Sequence, residues 1–463
     1  MKRLLPILLL GAFCIIHASA QLPQLKFPEL KFNPPKTDKV KLSNGIEVFL
    51  LEDHEVPIVD GYALVRTGSI YDPSDKLGLA EVTGELLRTG GTISKTPEEL
   101  NEALEFIAAS VESNISEESG RVSMSVLSKD ADTGLQLMAD VIQRPRFDDK
   151  QLELIKKQFI EALIRRNDEP GEIVSREYLI ALYGKDHPLA RFPKESQVAS
   201  ITVADVRGFY EKFYAPANIL VGFAGDFKKE QLIVRLESLF GKWVARPAAL
   251  PQVATASGEY TAGIFYVPKN VSQTNIRIGH FGTRISNPDF FALSVMDTIL
   301  GSGFSSRLTQ TVRTQMGLAY HVGSSFQGGM RDLGAFTVSA ETAAPSTART
   351  VKTIISELQR LKTGKIDPSE LQRAKDEEIN SFVFSFDSPR QIVIRQMQYR
   401  YFGLPEDFLY QYRDRVAAVT IADVERVAQK YLHPDKLIIL AVGPPDVQKQ
   451  LEELGKVSVL ELK

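Results

Sequence analysis

The feature that most constrains this chain is a long internal repeat. Residues 201–225 (ITVADVRGFYEKFYAPANILVGFAG) align without a gap with residues 419–443 (VTIADVERVAQKYLHPDKLIILAVG), 218 residues further on. Because this spacing is about half of the 463 residues, it predicts two homologous halves rather than a solenoid of short units. The length and the 43% content of hydrophobic residues are enough for two cores.

Each copy of the repeat predicts a capped helix followed by a buried strand. Thr202 and Thr420 stand three residues before Asp205 and Asp423, which is the spacing of a capping box. Apolar residues then recur at helical spacing, and a proline stops the helix. The continuous apolar run that ends in glycine is typical of a buried strand.

The order of the other patterns indicates the fold class. A hairpin is predicted at residues 40–53, with Asn44-Gly45 as its turn, and further strands at 58–67, 263–267 and 275–281. The predicted helices cover residues 79–88, 97–109, 135–143, 290–300 and 346–361. Strands and helices that come in groups favour an α+β fold, in which each half is an antiparallel sheet with helices packed on it.

Composition also predicts how the chain is divided. Lys2 and Arg3, an apolar stretch and Ala18-Ser19-Ala20 have the form of a secretory signal peptide. The predicted segments are the signal peptide 1–20, an extended proline-rich arm 21–37, a first domain 38–244, a Pro/Ala/Ser-rich linker 245–258 and a second domain 259–463.

Charge and cysteine content exclude several classes of partner and site. The net charge of −3, without a long basic run, gives no general attraction to nucleic acid. Beyond the signal, no apolar run approaches about 20 residues, so we expect no stable membrane insertion. The only cysteine, Cys14, lies in the signal, so the mature chain has no disulfide and no thiolate metal site. Export without disulfides suits a bacterial periplasm.

A series of landmarks in a fixed order gives the chain a family resemblance. The landmarks are Gly68-Ser69, Gly78-Leu79-Ala80, Gly91-Thr92, His187-Pro188, and Arg313 followed by Gly317-Leu318-Ala319-Tyr320. In their order and spacing, over residues 40–443, the chain resembles the pitrilysin/insulinase family of zinc peptidases. The resemblance implies two homologous α+β halves of about this size.

The zinc motif of that family is degenerate in this chain. Active relatives carry H-x-x-E-H directly after the G-L-A landmark, where two histidines hold zinc and the glutamate activates its water. Here the two histidine positions hold Glu81 and Glu85, and the position of the general base holds Gly84. A distant third ligand is retained as Glu161. The resemblance therefore implies no zinc in this chain and no peptide cleavage by this chain alone.

Two interpretations of the three glutamates remain open. Oxygen ligands suit Ca²⁺, Mg²⁺ or Mn²⁺ better than Zn²⁺, so Glu81, Glu85 and Glu161 form a candidate site for such a cation. The favoured interpretation is a solvated helical face, because carboxylates one turn apart repel each other when both are ionised.

A second landmark is intact in the other half. In active relatives an arginine and a tyrosine, seven residues apart, reach the substrate, and they match Arg313 and Tyr320 here. We expect Arg313 in the last turn of a helix that Gly317 ends, and Tyr320 at the start of a strand over residues 319–326. A guanidinium and a phenol can stabilise a developing oxyanion. The alternative is a surface ion pair for Arg313 and a core position for Tyr320.

The leading hypothesis is a non-zinc subunit of a heteromeric periplasmic metallopeptidase. By resemblance, a homologous partner subunit would carry the zinc, in a heterodimer or larger assembly, and Arg313 and Tyr320 would serve its site on peptide substrates. The alternative is an inactive pseudopeptidase that acts as a peptide-binding or scaffold protein. The resemblance also implies that a peptide would add to the edge of the strand at residues 58–67, as it does in active relatives. The segment 301–306 (GSGFSS) is expected to be a turn where two chain segments approach closely.

Overall fold

Two six-stranded sheets, one in each half of the chain, organise the fold. The computed structural model describes residues 34–244, 250–386 and 388–462. The predicted signal peptide, most of the predicted arm and linker residues 245–249 therefore lie outside the described residues. Residues 250–262, which follow them, contain no helix or strand.

The elements are numbered in chain order. The strands are β1 (Asp38–Lys41), β2 (Glu47–Glu52), β3 (Ile58–Val65), β4 (Ser110–Ile115), β5 (Gly120–Leu127), β6 (Ile219–Gly225), β7 (Gly263–Pro268), β8 (Gln273–Phe281), β9 (Thr283–Arg284), β10 (Ala319–Phe326), β11 (Gly328–Gly329), β12 (Ala335–Ala343), β13 (Ile438–Gly443) and β14 (Val457–Val459). The helices are α1 (Leu79–Thr89), α2 (Pro97–Phe106), α3 (Ala131–Gln143), α4 (Asp149–Arg165), α5 (Pro170–Tyr183), α6 (Glu195–Ala199), α7 (Val203–Phe213), α8 (Lys229–Phe240), α9 (Phe290–Asp297), α10 (Thr347–Thr363), α11 (Pro368–Val383), α12 (Pro389–Phe402), α13 (Phe408–Ala418), α14 (Ile421–Tyr431) and α15 (Val447–Glu452). Across the described ranges, none of these helices combines the length and the apolar character that crossing a bilayer requires.

The predicted repeat is confirmed as a structural repeat. Helices α7 and α14 begin and end 218 residues apart. Both carry the predicted capping box, in which Thr202 and Thr420 accept from the backbone N–H of Asp205 and Asp423, each at 3.2 Å. A buried strand, β6 or β13, follows each helix after a proline.

Sheet topology repeats as well. The first sheet has the order β1-β2-β6-β3-β5-β4, and the second, taken from its opposite edge, has the order β14-β7-β13-β8-β12-β10. Five positions correspond, and only the outermost strands β1 and β14 differ in origin and direction. The predicted α+β class is confirmed, with one difference in detail: β2–β6, β7–β13 and β7–β14 are parallel pairs, whereas the other pairs of the two six-stranded sheets are antiparallel.

One helix of the first half covers the open face of the second sheet. Ile173, Val174 and Leu182 of α5 lie buried against β13. The Tyr178 hydroxyl, also on α5, donates to the carbonyl of Phe336 in β12 at 3.0 Å. Gly279 of β8 makes this approach possible, because a β-carbon there would stand 2.5 Å from the Tyr178 oxygen.

In the same way, helix α12 of the second half packs on the first sheet. Val393 and Met397 of α12 lie on Gly222 of β6, where an added β-carbon would overlap both side chains. Arg400, near the end of α12, forms a bidentate pair with Glu47 of β2, with N–O distances of 2.7 and 2.6 Å. Since α5 and α12 follow corresponding long helices, α4 and α11, the two halves exchange equivalent helices.

This exchange predicts that the two halves unfold together. Each sheet loses an apolar cover if the other half unfolds, so scanning calorimetry of the mature chain should give a single transition. Replacing Gly222 by leucine should push α12 off β6, lower the midpoint and split the transition. Two separate transitions in the unaltered chain would contradict the exchange.

Candidate functional site

The helix α1, on which the sequence predicts the degenerate motif, has an unusual start. Gly78 precedes α1 with φ +95°, a conformation that favours glycine. The buried carboxylate of Asp72 accepts from the backbone N–H groups of Gly78 at 2.8 Å and Ala80 at 2.9 Å. Burial raises the pKa of Asp72 to about 7, although both hydrogen bonds oppose the shift. Asp72 thus caps α1 in place of a capping side chain next to the helix.

Glu81 and Glu85 share one exposed face of α1. The surrounding protein raises the pKa of both carboxyls above the ordinary value, and the charges of Glu85 and Glu117 raise the pKa of Glu81 further. Both side chains still reach solvent. Burial, together with the charge of Glu85 beside Glu81, makes this face less suited to two ionised carboxylates than an open surface would be.

The edge strand β4 packs directly against Gly84. The Ser113 hydroxyl of β4 donates to the carbonyl of Gly84. A β-carbon at residue 84 would overlap the backbone nitrogen of Ile115, in the same strand. The glycine therefore lets β4 lie directly on α1, and a glutamate side chain at this position has no room while β4 stays there.

The third carboxylate does not complete a metal site. Glu161 is exposed on α4. Across the described ranges, no three His, Cys, Asp or Glu side chains come close enough together to hold a metal ion, so Glu161 does not share a cluster with Glu81 and Glu85. The residues at the motif do not fit zinc, because they offer two repelling carboxylates, no imidazole and no acid to activate water.

The prediction for the peptide-binding edge is wrong. The strand predicted at residues 58–67 is β3, which lies inside the sheet between β6 and β5 and has no free edge. The edge next to α1 is β4, which pairs only with β5 among the described residues. Sequence patterns placed a strand correctly at β3 but did not reveal its neighbours, which come from distant parts of the chain.

Arg313 and Tyr320 lie where the sequence predicts them. Arg313 is in the last turn of a helix over Thr309–Gln315, which has π rather than α geometry. Gly317, with φ +60°, ends this helix, and its N–H donates to the Arg313 carbonyl at 3.2 Å. Tyr320 then enters β10, the free edge of the second sheet.

A β-bulge turns Tyr320 outward. Strand β10 pairs Ala319 with Thr342 and His321 with Glu341, so that Tyr320 is the extra residue. Its side chain is 79% exposed, which contradicts the alternative of a core tyrosine. The guanidinium carbon of Arg313 lies 5.6 Å from the centre of the Tyr320 ring. Among the described residues, Arg313 has no carboxylate partner. The alternative of a surface ion pair for Arg313 is therefore not found among them either.

Sequence reasoning missed a third member of this group. The predicted turn at 301–306 is shorter than expected, because residues 301 and 302 end a π-helix over Thr298–Ser302. Phe304, in the turn that follows, is 78% exposed, and its ring centre lies 5.8 Å from the Arg313 guanidinium carbon. The available signal was a single aromatic residue within a Gly/Ser turn. The predicted close approach is confirmed at Gly301, where a β-carbon would lie 2.5 Å from the Ser324 nitrogen in β10.

The degenerate motif and the arginine–tyrosine pair belong to different sheets. Helix α1 packs beside β4, and the pair lies beside β10, the corresponding edge of the other sheet. Within the described part of the chain, no hydrogen bond, ion pair or ring contact joins Arg313 or Tyr320 to the α1 positions 81, 84 and 85.

Comparison with known proteins gives two matching sequence models. One, described as the Peptidase M16 inactive domain, matches residues 200–378, and another, described as Insulinase (Peptidase family M16), matches residues 48–191. An uncharacterized zinc protease of Rickettsia felis is 27% identical over 343 residues, which are 72% of this chain and 80% of that protein.

Solved structures show the same fold. The peptidase M16 inactive domain from Pseudomonas fluorescens has a TM-score of 0.81 at 26% identity, covering 88% of this chain and 98% of the other. The periplasmic protease PqqL from Escherichia coli has a TM-score of 0.74 at 16% identity, covering 92% of this chain and 49% of the other. This second likeness concerns the fold alone.

The contact between Gly84 and β4 generates a paired prediction. Gly84→Ala should destabilise the chain by about 1–3 kcal/mol, because the methyl group overlaps the strand backbone. Gly208→Ala, in α7, should instead stabilise it by about 0.5–1 kcal/mol, because nothing lies near the new methyl group and alanine favours the helix. Urea unfolding measures both; stabilisation of both variants would contradict the close packing of β4 on α1.

Proposed function

Because this chain belongs to the insulinase (M16) peptidase family, we propose that it is the non-zinc subunit of a heteromeric peptidase and that it supplies Arg313 and Tyr320 to a partner's active site. One observation carries the proposal. Among the described residues, the guanidinium of Arg313 and the phenol of Tyr320 lie side by side at one edge of the second sheet, exposed and without a carboxylate partner, while the chain's own motif helix offers no imidazole.

The exposed pair is suited to oxyanion stabilisation. Arg313 presents N–H donors and Tyr320 an O–H donor, and neither has a described hydrogen-bond partner that would have to be displaced. Aimed at the carbonyl oxygen of a scissile peptide, they would stabilise the negative charge that develops there. The zinc and the residue that activates water would belong to a homologous partner with intact H-x-x-E-H.

The free edge β4 supports a role in peptide binding. Its unpaired backbone groups can take up an extended peptide as an added strand. Peptides are therefore the proposed substrates, which this subunit helps to hold or to cleave. The predicted signal peptide supports export to the bacterial periplasm.

Mixing experiments test the proposed division of labour. The chain alone should not hydrolyse an unstructured peptide, and activity should appear when a homologous chain with intact H-x-x-E-H is added. Arg313→Ala or Tyr320→Phe in this chain should lower kcat of the mixture by about 10²–10³-fold, because each removes one donor to the oxyanion. Initial rates over a range of peptide concentrations separate kcat from KM.

A matched control is Arg349→Ala, a change of another exposed arginine in the same half that has no described contact with the pair. It should leave the rate of the mixture unchanged. If the two chains associate tightly but both site variants retain full activity, the shared-site proposal is wrong and the pseudopeptidase scaffold is the better account.

A further inference from the structure

We propose that Phe304 is a positioning residue for Arg313, and that its ring holds the guanidinium in the direction that the shared active site requires. The inference rests on the proposed function, since it names a further residue of the same site. It also gives a role to Phe304 in the 301–306 segment, whose exposed ring the proposed roles of Arg313 and Tyr320 do not explain.

The geometry is a stack of the Arg313 guanidinium over each of two aromatic rings. The Arg313 guanidinium carbon lies 5.8 Å from the Phe304 ring centre and 5.6 Å from the Tyr320 ring centre. The Phe304 and Tyr320 rings are both more than three-quarters exposed. Such exposure is unusual for aromatic side chains unless they contact another molecule. No carboxylate among the described residues pairs with the guanidinium, so the two rings are the side chains that lie against it.

The backbone beside Phe304 is anchored, so the exposed ring stands on a fixed base. The Phe304 N–H donates to the Glu377 carboxylate of α11 at 3.2 Å. Gly303 lies so close to Glu377 that a β-carbon there would be 2.6 Å from its Oε2. At the other end of the turn, the Ser306 N–H donates to the Gly303 carbonyl at 3.1 Å.

A positioning role follows from the freedom that an arginine otherwise has. A long side chain on a helix surface populates many rotamers, and ordering it opposes catalysis at the moment of reaction. A ring face attracts an exposed cation by an amount that corresponds to about two- to fivefold in the population of the stacked rotamer. Phenylalanine adds this attraction without a polar group that would compete for the guanidinium N–H donors.

The stack can be observed in the isolated chain. In a ¹⁵N-arginine-labelled sample, the Nε–H signal that disappears in Arg313→Lys should be shifted upfield by the two rings. In Phe304→Leu, which keeps apolar bulk without a ring, this signal should move towards the position of an unstacked arginine. In Phe304→Tyr, which restores the ring, it should return. A signal that does not move in Phe304→Leu overturns the proposal, whatever the partner does.

The mixed peptidase tests the consequence. Phe304→Leu should lower kcat by about two- to fivefold with little change in KM, and Phe304→Tyr should restore it. In an Arg313→Ala background, Phe304→Leu should have no further effect, because the ring acts through the guanidinium.

The outcomes distinguish the positioning role of Phe304 from the proposed shared active site. If Arg313→Ala slows the mixture but Phe304→Leu does not, the shared site stands and the positioning role falls. If Phe304→Leu acts equally in both backgrounds, the ring contacts substrate or partner directly and the positioning role is again wrong. If Arg313→Ala itself has no effect, the proposed function fails, and the spectrum of the isolated chain still decides whether the stack exists.

Discussion

The exchange of equivalent helices between the two halves is the contact on which the rest of the structure depends. Helix α5 of the first half lies on the second sheet, and α12 of the second half lies on the first. Glycines at positions 279 and 222 bring the helices against the strands. Each sheet thus has helices of its own half on one face and one helix of the other half on the opposite face. The two halves therefore form one unit. Among the described residues, β4 and β10 are unpaired on their outer edges.

The two sheet edges, β4 and β10, present different side chains. At β4, the helix α1 carries Glu81, Gly84 and Glu85, and the strand lies directly on that glycine. A glutamate at position 84 would therefore require β4 to move away. At β10, a bulge and a turn present a tyrosine, an arginine and a phenylalanine to solvent.

Local chemistry could be predicted from the sequence. The capping boxes at Thr202 and Thr420, the glycine that ends the Arg313 helix and the start of β10 depend on neighbouring residues, and all were predicted correctly. Contacts between distant segments could not be predicted. The interior position of β3, the closure of β4 on Gly84, the capping by Asp72 and the bulge at Tyr320 each depend on which strand lies beside which.

The central claim is that residues 81–85 do not form a hydrolytic metal site, so that any peptide hydrolysis requires a zinc-bearing partner chain. The most direct measurement is the zinc content of the purified mature chain, together with its peptidase activity in the absence of any other protein. The account predicts no stoichiometric zinc and no hydrolysis of an unstructured peptide. One zinc per chain, with hydrolysis that a chelator abolishes and zinc restores, would contradict it.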